Sequence, residues 1–229
     1  MMKIIRIQRA FVLIEIAIAL FVLALVLGGI LAPINQQIQQ GKVRDTEKAI
    51  ADIHEALIGF VMVNGRLPRP ATSATNGLER GTCTTDVNCT GFIPWTTLGS
   101  PKLDGWGNII QYSVTPAFAD SAFLLTSTGT KTIQELPLPA APYATNIPVV
   151  IWSHGPENFG TDNSGVVRSN NSASVTNVDE IANNTASTLF YRRTPSTNAA
   201  AAGGEFDDIV TFIPTAVLIG KAVAAGKLP

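Results

Sequence analysis

From Ala10 to Gly41 the sequence carries a single charged residue, Glu15. Ile16 to Leu27 is an unbroken apolar run, and Phe11 to Leu31 makes 21 residues around that one carboxylate. A helix of that length spans about 31 Å, close to the thickness of a bilayer core. The stretch therefore predicts a membrane-spanning helix. Lys3, Arg6 and Arg9 precede it with no acid among them, and no basic residue follows at once. This asymmetry puts the N-terminus in the cytoplasm and everything beyond Gln40 outside it. A secretory signal peptide would have a shorter apolar region and a small-x-small cleavage site. Here the plausible exit, Leu31-Ala32, is followed by Pro33, which blocks such cleavage. A plain anchor accounts for length and orientation but not for Glu15. A carboxylate inside an apolar span costs a few kcal/mol and marks a functional position that needs a partner.

The rest of the chain is ordinary by comparison. It has 229 residues, 46% apolar and 14% charged, a formal net charge of −1 and a mean hydropathy of +0.25. That length allows one or two domains with a real core. The apolar content excludes a disordered chain, and the balanced charge gives no sign of a nucleic-acid partner.

The residues around Glu15, Arg9-Ala10-Phe11-Val12-Leu13-Ile14-Glu15-Ile16, resemble the prepilin processing motif of type IV pilins and type II secretion pseudopilins. The resemblance implies that a prepilin peptidase cuts between Ala10 and Phe11 on the cytoplasmic side. Phe11 would then become the N-methylated first residue, and Glu15 would remain as an assembly residue. Ala10 departs from the Gly usually found before the cut. The resemblance also supplies the missing partner: the amine freed on Phe11 of one subunit would be neutralised by Glu15 of its neighbour. An unpaired charge is costly in low dielectric, so such a pair would act on register and specificity.

Gly28-Gly29 and Pro33 should interrupt the span near its outer end, because Pro removes a helix hydrogen bond and Gly weakens the turn. After Gly41 an amphipathic helix resumes. Val43, Ile50, Ile53, Leu57, Ile58 and Val61 make its apolar stripe, with Arg44, Asp45, Glu47, Lys48, Asp52 and Glu55 on the other face. Asn64-Gly65 reads as a left-handed stop, with Pro68 and Pro70 beyond.

From Leu67 onward Gly, Pro, Ser, Thr and Asn dominate. Short β-rich runs are expected at 109–115, 122–127, 147–153, 188–193 and 208–213. No ten-residue helical pattern separates them, so the sheet should be antiparallel rather than βαβ. The expected fold class is α+β and pilin-like: a long N-terminal helix, transmembrane in its first half, packed on an antiparallel β-sheet head. Residues 1–10 would be the leader, 11–34 the transmembrane and filament-core helix, 35–66 the amphipathic spine, and 67–229 the β-rich head. Pro195 to Gly204 reads as a flexible loop.

Further segments resemble the same family: Ala56-Leu57-Ile58-Gly59-Phe60 leading into Asn64-Gly65-Arg66-Leu67-Pro68, Gly91-Phe92-Ile93-Pro94-Trp95-Thr96-Thr97-Leu98-Gly99, Asp104-Gly105-Trp106-Gly107-Asn108 followed by Tyr112, and Glu205-Phe206-Asp207-Asp208-Ile209-Val210. Trp95 and Trp106 should be core anchors set in turns, and Asp104 a turn former.

Cys83 and Cys89 are the only cysteines. On the oxidising side of a membrane their spacing fits a short disulfide loop; two free thiols would require a reducing compartment. Catalytic patterns are weak. Ser153-His154 with Asp162 contains triad residue types, but adjacent Ser and His point apart in a strand. No nucleophile elbow, zinc-protease helix, P-loop or dinucleotide fingerprint occurs, so no enzymatic activity is expected. The glycine-rich loop 155–165 offers Glu157 and Asp162 as candidate Ca2+ ligands, although a hydrophilic turn is the favoured reading and no cofactor is otherwise called for. Asn88, Asn170 and Asn183 head sequon-like triplets read as chance matches.

The resemblance implies a structural subunit of a secretion pseudopilus or a type IV pilus, a minor component by the size of its head. Its implied partners are other pilin or pseudopilin subunits, the prepilin peptidase and the inner-membrane assembly platform. It would sit in the bacterial inner membrane, head in the periplasm, until assembled. The competing expectation is a singly anchored periplasmic binding protein or enzyme.

Overall fold

The computed structural model describes residues 6–135, 142–170 and 177–229, and the side chains of 6–11 and 26–34 lie outside the description. The chain divides into two compact units, Met1–Val43 and Arg44–Pro229.

Helix α1 runs from Arg6 to Asn64, and two single-turn helices, α2 (Trp95–Leu98) and α3 (Pro116–Ala119), follow it. The long helix carries through Gly28, Gly29 and Pro33, so the expected interruption does not end it. One lost hydrogen bond in a long helix is outweighed by the intact turns on either side. In the second unit α1 buries Thr46, Ala49, Ile50, Ile53, Leu57, Ile58 and Val61, while Arg44, Asp45, Glu47, Lys48, Asp52 and Glu55 are exposed. The helix stops where expected. Gly65 has φ 68° and donates its N–H to Val61 O at 2.8 Å, a left-handed termination that suits a residue without Cβ. Arg66 then clamps Glu79 with two bonds of 2.8 and 2.7 Å.

The central sheet has the order β1-β2-β5-β7, from β1 (Thr90–Phe92), β2 (Gln111–Val114), β5 (Val149–Ser153) and β7 (Ile209–Ile213). All its pairings are antiparallel. The molecule is thus α+β with an antiparallel sheet. Tyr112, Val114, Val149, Ile151 and Ile213 pack against the α1 stripe, joined by Leu218 and Ala222 of helix α5 (Thr215–Ala224). The opposite face presents Val150, Trp152, Val210 and Phe212 to a smaller sheet through Ile133, Ile147 and Phe190. β5 is therefore buried on both faces, which is why Val149-Val150-Ile151-Trp152 reads as a continuous apolar run rather than an alternation.

The smaller sheet, order β4-β3-β6, comprises β3 (Lys131–Glu135), β4 (Ala144–Ile147) and β6 (Leu189–Arg192). Here β3 and β6 are parallel, against the expectation of antiparallel pairing throughout. The connection between them is long and carries helix α4 (Val178–Asn184), which a parallel crossover requires.

Residues 122–127 are a turn, not the expected strand. Ser127 Oγ accepts the Leu124 N–H at 2.9 Å and Leu124 O accepts the Ser127 N–H at 3.0 Å, so the segment bonds to itself and leaves Leu124 and Leu125 exposed. Strands β1, β3 and β4 were not expected, nor was α5. Trp152, rather than Trp95 or Trp106, is the largest fully buried side chain. Trp95 packs at the core margin on Gly77, whose φ is 60° and where any Cβ would strike the indole.

Candidate functional site

Two places carry the residues that chemistry could use: the first unit of α1, and the end of the central sheet where β5 and β7 meet α4.

Every described side chain from Val12 to Leu25 is exposed, and all but Glu15 are apolar. Leu13 is 71% and Phe21 66% exposed. No face of this segment is polar, so it has no orientation in which one side could rest against water at no cost. Among the described residues no helix is long and apolar enough to cross a membrane. The stretch Phe11–Leu31 lies partly outside them, as do the side chains of Ala10 and Phe11 at the expected cleavage point; their backbone is helical.

At the sheet end, polar residues replace apolar ones along each element. Ser153 and His154 follow the apolar run of β5, and Asp207 and Asp208 precede β7. The antiparallel register pairs Ser153 with Ile209, so these polar ends are brought together. His154 is 2% exposed. Its Nε2 accepts the Trp152 indole N–H at 3.1 Å, so the proton of the neutral ring sits on Nδ1, 3.1 Å from Asp208 Oδ1. Asp208 Oδ2 accepts Asn183 Nδ2 at 2.7 Å, and Asn183 Oδ1 accepts the Tyr191 N–H at 2.7 Å. One chain of bonds thus ties β5, β7, α4 and β6.

Ser153 does not belong to that chain. Its hydroxyl donates to Asp104 Oδ2 at 2.6 Å and accepts the Gly155 N–H at 3.1 Å. Asp104 Oδ1 accepts the N–H groups of Trp106 and Asn108, both at 2.9 Å, and forms the turn expected of it. The next amide, Gly105 N–H, donates to the buried Thr46 hydroxyl of α1 at 2.9 Å. Ser153, His154 and Asp162 are not assembled as a nucleophile, base and orienter. Ser and His each face a different acid, and Asp162 Oδ1 accepts the Ser164 and Val166 N–H groups of its own turn. Those amide bonds, Val166 first, hold the Asp162 carboxyl below its usual range.

A second acidic group lies beside His154. The Asp207 N–H donates to Glu180 Oε1 at 2.9 Å, and Asp207 Oδ2 accepts the Glu157 N–H at 3.1 Å. Glu180 Oε2 accepts Asn158 and Asn177 side-chain amides. Burial, then the Glu180 and Asp208 charges, push the Asp207 carboxyl up to about 9. Asp179, 3.1 Å from Arg193, is raised to about 6 by burial, with Arg193 opposing. Of the candidate calcium ligands, Glu157 enters this group through its backbone only, and Asp162 caps a different turn. Among the described residues no set of three or more His, Cys, Asp or Glu could hold a metal ion.

No family model, curated protein or solved structure matches the chain.

Cys83 and Cys89 form a disulfide, with Cα atoms 5.0 Å apart. The loop they close contains Asp86, whose Oδ1 accepts Lys131 Nζ and the Thr130 hydroxyl, each at 2.6 Å. Sequence reasoning found the disulfide but missed Lys131, the His154–Asp208 pair and the Glu180–Asp207 pair. The available signal was positional: polar residues directly after one apolar strand and directly before another.

Proposed function

We propose that this chain is a pilin-like structural subunit, made with a basic leader, cleaved between Ala10 and Phe11, and assembled through the first unit of α1 into a pseudopilus or pilus. The observation that carries the reading is the segment Val12–Leu25, apolar on every side, exposed along its whole length and bearing one carboxylate. Contiguous apolar surface of that kind marks a membrane or protein contact. Helices of neighbouring subunits would cover it in a filament, and lipid would cover it before assembly. In either setting Glu15 needs a cation, and the amine of a processed Phe11 is one. The polar ends of the strands support a scaffold role rather than chemistry, because Ser153 is bonded to Asp104, His154 to Asp208 and Asp208 to Asn183, rather than Ser153 to His154 as a nucleophile to its base. On this reading the subunit waits in the inner membrane with its head in the periplasm, and its partners are the peptidase, the assembly platform and other subunits.

Mass spectrometry of the N-terminus of the chain purified from its own membranes tests this. An N-methylated Phe11 supports it. An intact Met1 on a monomer refutes it in favour of a singly anchored binding protein or enzyme.

A further inference from the structure

Strand β7 is the edge of the central sheet. β5 is bonded to one side of it, and among the described residues no other strand is bonded to the other. Soluble proteins guard such edges with lysine, proline, bulges or inward charges, because a bare row of N–H and C=O groups is a template for another chain. β7 has none of these guards. Its sequence is Ile209-Val210-Thr211-Phe212-Ile213, uncharged and β-branched or aromatic throughout, in unbroken register with β5.

The space beside this edge is shaped and charged. A groove of about 440 Å³ lies between Ile209, Val210 and Thr211 on one side and Glu47, His54 and Glu55 of α1 on the other, with His54 Nδ1 3.6 Å from Glu55 Oε1. Glu47 and Glu55 are exposed on its rim. A second concavity, of about 250 Å³, adjoins the residues just before β7 and is lined by Glu157, Glu180, Glu205 and Asp207. Neither is lined by a lysine or arginine. A second copy of this edge would bring two sets of carboxylates together, so like-charge repulsion disfavours β7-to-β7 pairing.

We propose that β7 is a docking edge for an extended, lysine- or arginine-bearing segment of another polypeptide, which adds to the sheet as its fifth strand and sets basic side chains against Glu47 and Glu55. Main-chain bonds to β7 would supply affinity, and the carboxylates would supply selectivity and rate. The inference is independent of the helix-mediated assembly above, because it uses only the second unit.

The test uses the full chain in detergent and a fluorescent ten-residue peptide alternating Lys with Val. Three comparisons accompany it: the same peptide with Glu for Lys, the Lys peptide N-methylated at alternate amides, and the Glu47→Lys/Glu55→Lys variant with its circular dichroism checked. The Lys peptide should bind, more weakly as salt is raised. Binding should fall about tenfold or more in the Glu47→Lys/Glu55→Lys variant, and also with the methylated peptide. Equal binding of the Glu peptide removes the charge argument. Undiminished binding of the methylated peptide removes strand addition, and no binding of the Lys peptide overturns the proposal outright. Self-association abolished by Thr211→Lys would also overturn it, since the occupant would then be a second copy.

Discussion

The ammonium of Lys131 lies 2.6 Å from Asp86 Oδ1, and Asp86 sits inside the loop closed by the Cys83–Cys89 disulfide. Lys131 is fully buried, whereas the Asp86 side chain is 28% exposed. Burial pushes the Lys131 pKa down, and Asp86 restores part of the preference for the charged form. The disulfide loop therefore has a second role beyond shortening the unfolded chain: it holds the counterion of a buried lysine. Asp86→Ala should cost about 3 kcal/mol, because it leaves that lysine without its ion partner. Lys131→Met should cost much less, and the double variant should recover most of the Asp86→Ala loss. Denaturant unfolding of the three variants measures this; equal losses for both single variants would count against it. Cys83→Ser/Cys89→Ser should cost about 2–3 kcal/mol in the same assay.

Asp207 should make stability depend on pH. Its carboxyl rises from 3.8 to about 9 on folding, so the folded chain keeps a proton that the unfolded chain releases. The stability this contributes is present at acid pH and declines as pH rises through that window. Asp179 acts in the same sense but only up to about 6. Between pH 6 and 9 the decline should belong chiefly to Asp207. Asp207→Asn should flatten it, with the Tm advantage of the variant growing from pH 6 to pH 9. Parallel melting curves for both proteins across that range would rule this out.

Thr46→Val tests how α1 is fastened to the turn at Asp104. The substitution keeps the volume but removes the acceptor of the Gly105 N–H, now 2.9 Å away. Stranding that amide should cost about 1–3 kcal/mol. Thr46→Ser, which retains the hydroxyl, should lose less than Thr46→Val. The order of the two unfolding midpoints decides the matter.

Glu15→Ala should leave membrane insertion intact or improved, since it removes a charge from the apolar segment. Assembly should fall sharply, as measured by the subunit content of sheared filaments or by crosslinking between neighbours. Normal assembly would remove the role proposed for Glu15.

Much of the architecture was legible because it rests on local pattern. The apolar stripe at Ile50, Ile53, Leu57, Ile58 and Val61, the stop at Gly65, and the runs that became β2, β5, β6 and β7 all follow from helical or strand periodicity. Thr90–Phe92 and Lys131–Glu135 escaped notice because strands of three to five residues with polar neighbours have too little period to detect. The run at 122–127 misled for the opposite reason: its composition suits a strand, but no neighbouring strand bonds to it and Ser127 closes it on itself. The parallel pairing of β3 with β6 could not be read locally, because it depends on where a long connection returns.

What the sequence by itself determined is the chain's periodic skeleton: one long helix with an apolar, singly charged first segment, an amphipathic second segment, and a β-rich remainder with a short disulfide loop. Only the tertiary structure decided which polar groups meet. His154 and Asp208 are 54 residues apart, Lys131 and Asp86 are 45 apart, and Asp207 and Glu180 are 27 apart. Periodicity reports which face of an element is buried, but not which element covers it. Buried charges and amides take their meaning from that covering partner, because in low dielectric each must find its bond or lose its charge.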